Sequence, residues 1–348
     1  LFKEVMRSIV IFGLIGSTAL ILLGCASVAS GISESRPNVI LVMADDQGWG
    51  DTGFNGHPFV QTPAMDAMAA NGFVFDRFYA ASPVCSPTRA SVLTGRNPFR
   101  GKVLNHGHYL RPHELTLAEV LQDEGYSTGI FGKFHIGSAQ PDSPCNPGAM
   151  GFDEWVIGLN FFDNNPYLSR KGRVEQFRGK GSVILMDEAL DFIKQNKDAG
   201  APIFTVIWFP SPHDPFREVP ENPEVYEGQK HAPYYREITL LDEQLGRLRE
   251  ALRKQGMAEN TILWYCSDNG GLVHETSGGR AKKGSIYEGG LRVPSIVEWP
   301  AGRLSGRTTL PTSTSDMMPT LLAMAGIDSS LPHPMDGIDV SAAFTDKL

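Results

Sequence analysis

Four apolar runs in this chain each end on polar residues, and that pattern constrains the fold more than any other feature. NVILVMA (38–44) closes on Asp45 and Asp46. YSTGIFGKFH (126–135) leads into Lys133 and His135. IFTVIWFPSPHDPF (203–216) runs to His213. TILWYCSDNGG (261–271) ends at Asp268 and Asn269. Runs without polar alternation read as strands buried on both faces, as in parallel sheets. Helical segments stand between them. Residues 62–72 have Thr62 as N-cap, Pro63 in the first turn and Gly72 as stop, and 116–125 repeat that grammar. Residues 181–196 read as a third helix, and 233–256 as a long amphipathic one stopped by Gly256. Strands alternating with helices predict an α/β fold, a mostly parallel central β-sheet sandwiched by helices.

The chain has 348 residues, 41% hydrophobic and 20% charged, enough for one large α/β domain or two ordinary ones and against disorder. Its net charge is -8, with no long run of like charges, which argues against nucleic acid as the main partner. There is no internal repeat and no low-complexity tract.

Lys3 and Arg7 precede an uncharged stretch, Ser8 to Gly24, and the next charge is Glu34. A basic flank, an apolar run and then small residues describe a secretory signal. Leu22-Leu23-Gly24-Cys25 resembles a bacterial lipoprotein cleavage box, with Cys25 as the lipidated residue. A plain signal and an uncleaved anchor helix are the alternatives, and all three export the rest of the chain. The expected organisation is a lipoprotein-type signal over 1–25, a tether over 26–36 and one folded domain over 37–348. The expected location is periplasmic or on the outer membrane, with membrane contact only through a lipid anchor at Cys25.

In open α/β sheets, ligands bind outside the carboxyl ends of the strands. Any one strand-end aspartate is ordinarily a turn former, and any one histidine ordinarily a core or surface residue. Four strands delivering such residues to one edge point instead to a site. Asp45, Asp46, Asp268 and Asn269 offer oxygen donors only, which suit Ca²⁺ or Mg²⁺ rather than zinc. Three clustered carboxylates would repel one another without a cation. Lys133, His135, His213, Arg89 and Lys283 add cationic and donor groups, so metal and cations together describe a pocket for a tetrahedral oxyanion. Lys282 competes with Lys283 for that role.

The cysteines are Cys25, Cys85, Cys145 and Cys266. No CxxC pair exists, which argues against a structural zinc site, and a Cys145–Cys266 bridge stays open. In PVCSPTRASVLTGR (83–96), Pro87 suits the first turn of a helix that Gly95 would stop. Cys85 would then lie near the helix N-terminus, where the dipole favours an anion and lowers a thiol pKa. A thiolate nucleophile is one reading of Cys85, and a buried inert cysteine is another. A cysteine phosphatase would need arginine six residues after its cysteine. That position holds Ser91, and Arg89 comes two residues too early.

CSPTRASVLTGR resembles the signature of the type I sulfatases of the alkaline phosphatase superfamily. ADDQGWGD, GKFHIG, PHDPF, CSDNGG and KGSIYEGGLRVP resemble the family's companion blocks, in its order, and DMMPTLLAMAGI and DGIDV resemble the blocks C-terminal to them. The likeness covers roughly residues 36 to 340. It implies a sulfatase catalytic domain that hydrolyses sulfate esters, on sulfated carbohydrates from the exported location. It implies that a maturation enzyme converts Cys85 to formylglycine, whose hydrate attacks sulfur and then expels sulfate through its second hydroxyl. Asp45, Asp46, Asp268 and Asn269 would hold one Ca²⁺, with the matured residue 85 completing the shell. Arg89, Lys133 and His135 would hold the hydrate, with His135 as base for the release step. His213 and Lys283 would bind the sulfate, with His213 as proton donor to the leaving group; Lys283 is preferred to Lys282 because it directly precedes the glycine of its block.

Family members continue past the DGIDV block with a small C-terminal subdomain, so a chain ending at Leu348 is expected to have it missing or truncated. The alternatives are a phosphodiesterase or phosphonate monoester hydrolase of the same superfamily, and a non-catalytic, glycan-binding lipoprotein.

Overall fold

The computed structural model describes residues 36–328 and 330–345. The expected signal, the expected lipidation site Cys25 and all of the expected tether except Arg36 lie outside these residues. Twelve strands are present among the described residues: β1 (Asn38–Ala44), β2 (Phe73–Phe75), β3 (Phe78–Tyr79), β4 (Ser127–Lys133), β5 (Glu154–Gly158), β6 (Tyr167–Arg170), β7 (Arg173–Gln176), β8 (Ile203–Trp208), β9 (Thr261–Ser267), β10 (Ser295–Glu298), β11 (Gly306–Thr308) and β12 (Thr312–Ser313). The helices are α1 (Pro63–Asn71), α2 (Cys85–Thr94), α3 (Pro98–Gly101), α4 (Leu117–Asp123), α5 (Gly181–Lys197), α6 (Ala232–Lys254), α7 (Glu288–Leu291) and α8 (Met317–Met324).

Ten strands form one sheet in the order β11-β2-β10-β9-β1-β8-β4-β5-β6-β7. Its centre, β9-β1-β8-β4-β5, is parallel throughout. The antiparallel pairings lie outside it, at β10 and at the β6–β7 hairpin. Alternate residues of the central strands enter opposite cores. Val39, Leu41 and Met43 pack on one face with Phe204, Trp208 and Trp264, under α2, α4 and α8. Ile40, Val42 and Ala44 pack on the other with Ile207, Leu263 and Tyr265, under α1, α5 and α6. Two-sided burial explains why these strands read as unbroken apolar runs.

The register places the strand ends level. Ala44 lies opposite Ser267, Met43 opposite Trp208, and Gly132 opposite Trp208. Polar residues that are far apart in sequence therefore leave the sheet along one line. Gly132 has φ 115, and a Cβ there would run into the Trp208 carbonyl, so β4 can approach β8 this closely only with glycine.

Two local readings are corrected. Thr62 stands at the N-terminus of α1 but its hydroxyl does not cap the helix; it accepts from Gly53 N and donates to Asp66. The cap comes from α6, where Asp242 accepts from Ala64 N (2.9 Å) and Met65 N (2.7 Å). A sequence-local cap is lost because a carboxylate from a packed neighbour competes for the same donors. Cys145 and Cys266 are both free thiols, so no bridge joins them; Cys266 lies fully buried on β9 in the first core.

Removing the Asp242 carboxylate leaves two N–H groups at a packed helix start without acceptors. Asp242→Ala is expected to lower unfolding free energy by about 1–3 kcal/mol, read as a lower urea midpoint with unchanged slope. Asp242→Asn, which keeps one acceptor oxygen, should lose less.

Candidate active site

Helix α2 starts at Cys85, with Val84 as its N-cap residue, and all ten of its residues are buried. Pro87 fits the first turn, where its missing N–H costs nothing. Gly95 (φ 63) ends the helix by donating to Ser91 O. The spacing of Cys85 and Arg89 puts both on one helix face. Arg89 is wholly buried. Its Nε and Nη2 donate to Asp268 Oδ2 (3.1 and 2.7 Å), its Nη1 to Lys133 O (2.9 Å), and its guanidinium lies over the Trp208 ring. One side chain thus joins α2 to the ends of β4, β8 and β9.

The structure brings together every site residue named from the sequence. Lys133 Nζ donates to Asp45 Oδ2 (2.6 Å) and reaches Cys85 Sγ at 3.5 Å, while Cys85 Sγ lies 3.8 Å from Asp45 Oδ1. Asp46 takes a left-handed backbone (φ 71), donates its N–H to Asp268 Oδ1 (3.2 Å) and accepts from Asn269 Nδ2 (2.7 Å). Lys283 Nζ donates to the Asp46 carboxylate (2.7 Å), and His213 Nε2 stands 3.7 Å from it. Lys282 turns away and donates to Leu272 O. The His213 ring stacks on Phe161, with centroids 5.1 Å apart. His135 is held at φ 55, and its Nδ1 is buried without a hydrogen-bond partner among the described residues.

The three carboxylates are not bare. Asp45, Asp46 and Asp268 face Lys133, Lys283 and Arg89 respectively, so mutual repulsion does not by itself demand a metal. The case for a cation rests on the donor set. Ligand atoms of Asp45, Asp46 and His213, and of Asp45, Cys85 and Asp268, each lie within 4.8 Å of one another. Asn269 Oδ1 is buried beside them with no partner among the described residues, and an orphaned buried acceptor is what an oxygen-preferring ion would satisfy. Asp45, Asp46, Asp268 and Asn269 therefore fit a hard divalent cation.

Electrostatics separates the groups. Burial resists ionisation of Asp45, but Lys133 and Arg89, then His213 and Lys283, override it and hold the carboxyl well below the usual range. Burial, then the neighbouring Asp45 charge, pushes Asp268 up to about 6. For Lys283, burial opposes the charge and Asp46 more than restores it, so the ammonium is held above its ordinary range. Burial, with Lys133 and Arg89 adding repulsion, brings His135 down to about 3, so its imidazole is neutral. Burial, then Asp268 and Asp45, pushes the Cys85 thiol up to about 12 despite Lys133. The thiolate expected from the helix N-terminus is thus not favoured: desolvation and two facing carboxylates outweigh a partial dipole charge.

A cavity of about 360 Å³ opens above Cys85, lined by Val84, Cys85, His106, His135, Asn160, His213, Lys283 and Gly284. Sequence reading missed His106, Asn160 and Phe161. They lie on loops outside the strand-end pattern, and only the fold brings them near residue 85.

A model of the sulfatase family matches residues 37–327. The N-acetylgalactosamine-6-sulfatase of Canis lupus familiaris is 31% identical over 373 residues, covering 94% of this chain and 70% of that protein. That of Sus scrofa is 32% identical over 369 residues, covering 93% and 69%. The crystal structure of Ps i-CgsB superposes with a TM-score of 0.83 at 29% identity, covering 89% of this chain and 76% of that one. Its complex with k-i-k-neocarrahexaose gives 0.82 at 28%, with the same coverage. A family model spanning the whole parallel sheet, relatives above 30% identity and a shared fold lead to one conclusion: the chain belongs to the sulfatase family, whose members hydrolyse sulfuric esters.

Proposed function

We propose that this protein removes sulfate from sulfated carbohydrates, with residue 85 matured to formylglycine beside one bound Ca²⁺. The observation that carries this reading is the setting of Cys85. It lines the cavity with its Sγ 3.5 Å from Lys133 Nζ and 3.8 Å from Asp45 Oδ1, beside the carboxylates that fit a divalent cation. A thiol there has one leaving position and would be stranded after taking up the sulfuryl group, whereas a geminal diol at the same place keeps a second hydroxyl through which sulfate can be expelled. A carbohydrate substrate is supported by the names of the dog and pig relatives and by the hexaose bound to Ps i-CgsB.

Asp45, Asp46, Asp268, Asn269 and the residue 85 oxygen would hold Ca²⁺, which when bound polarises the sulfate and favours ionisation of the hydrate. Formylglycine supplies a geminal diol, one hydroxyl to attack sulfur and a second to expel sulfate. This chain's residues do the rest. Arg89 fixes Asp268 and the turn that carries residue 85. Lys133 donates toward residue 85. His135, which lines the cavity with residue 85, takes the proton when sulfate is expelled. Lys283 and His213 bind the sulfate from the Asp46 side, and His213 gives a proton to the departing alcohol oxygen.

We also propose that the protein is exported as a periplasmic or outer-membrane lipoprotein anchored at Cys25. Support comes from residues 1–25 as a sequence. No helix among the described residues is long and apolar enough to cross a membrane.

Mass spectrometry of the residue 85 peptide from protein made in its own host should show a loss of about 18 Da, two hydrogens and sulfur giving way to oxygen. An intact thiol in active enzyme would overturn the mechanism. Chelation should abolish turnover of 4-nitrophenyl sulfate, with Ca²⁺ restoring it better than Mg²⁺; faster cleavage of the phosphate ester would favour the phosphoesterase alternative. Lys283→Ala should lower kcat by about 10²–10³, while matured protein that binds sulfated glycans without releasing sulfate would point to the non-catalytic one.

A further inference from the structure

One titratable residue of the cavity wall is used neither by the carboxylate cluster nor by the cations that face it. His106 lines the cavity together with Cys85, His135, His213 and Lys283. Its loop, between α3 and α4, is fastened at two points. Gly107 N donates to Ser86 Oγ (2.9 Å), and that hydroxyl donates on to His135 O (2.5 Å). Leu110 N donates to Ile136 O (2.7 Å). Ser86 is fully buried, so the backbone at 107 is held against the two turns that carry residues 85 and 135.

The imidazole itself is exposed, and no ion pair or side-chain hydrogen bond engages it among the described residues. An imidazole offers an N–H donor in either protonation state. Its surroundings favour anions. Among the residues that line the cavity with it, Lys283 is cationic and none is acidic. Lys102 and Arg111, on either side of His106 in the sequence, are both exposed, and neither forms a salt bridge among the described residues.

We propose that His106 is a specificity-determining residue that binds a second anionic group of the substrate, a sulfate or carboxylate close to the scissile ester, and so selects multiply charged glycans. This rests on the carbohydrate sulfatase reading above. The Ser86 fastener sets where His106 stands relative to residue 85, and with it the spacing between the two anionic groups that is read.

The test uses matured enzyme with 4-nitrophenyl sulfate as reporter. N-Acetylgalactosamine 6-sulfate and N-acetylgalactosamine 4,6-disulfate serve as competitors for wild type, His106→Ala and His106→Arg. Wild type should bind the disulfate more tightly. His106→Ala should cut the ratio of the two inhibition constants about tenfold, the value of one charge-assisted hydrogen bond, whatever it loses on the reporter. His106→Arg should keep the preference. A wild type without preference, or an unchanged ratio in His106→Ala, overturns the assignment while leaving the sulfatase reading intact. Failure of wild type to turn over the reporter overturns both.

Discussion

A fully buried guanidinium holds this active site together. Arg89 spends three N–H groups on Asp268 and on the Lys133 carbonyl and lays its plane over Trp208. Isolated buried charges are costly, and removing one partner of such a pair costs about 3–5 kcal/mol because the other is left uncompensated. Asp268 and Arg89 are therefore obliged to each other, and the obligation fixes α2 against the strand ends. Position 85 is fixed with it, since it lies one turn before Arg89 on the same helix. The place of residue 85 at the cavity is set by the electrostatics of its buried neighbour Arg89.

The same logic spaces the remaining groups. Three carboxylates meet three cations, yet the pairs are not closed off. Asp45 shares Lys133 with residue 85, and Asp46 shares Lys283 with the cavity. A cation seated among the carboxylates would leave Lys133, Lys283 and His213 with charge and donors facing inward, which is what a dianionic sulfate requires. His135 is tuned the other way. Burial beside Lys133 and Arg89 disfavours its charged form, a cost that an anionic sulfate in the cavity would offset.

The parts readable in the sequence were those set by short spacing and by strand register. Asp45–Asp46, Lys133–His135 and Asp268–Asn269 each leave one strand end, Cys85 and Arg89 share a helix face, and parallel pairing then brings the groups level. Where local grammar failed, a partner distant in sequence had won. Thr62 lost its cap role to Asp242, which lies 178 residues further on for its Ala64 bond. The helix N-terminus failed to make Cys85 acidic because burial disfavours its charge and Asp268 and Asp45 face it from other elements. His106 and Asn160 left no periodic trace, because a loop residue becomes a wall residue only through the contacts that fasten its loop.

That division bears on how specificity is built. Groups around residue 85 stand on strand ends and a buried helix, where shifting one charge unbalances its partner. Their geometry is suited to the part of the substrate that does not vary, the sulfate. Groups reading the rest of the glycan must be replaceable without disturbing that cage, so they belong on loops. The α3–α4 loop meets both conditions. Its backbone is tied down through Ser86 and Ile136, while the side chains of residues 104–109 are exposed. A change at His106 can alter which sugar is accepted without touching Arg89 or its buried carboxylate, because those two are paired with each other and the exposed imidazole bonds neither.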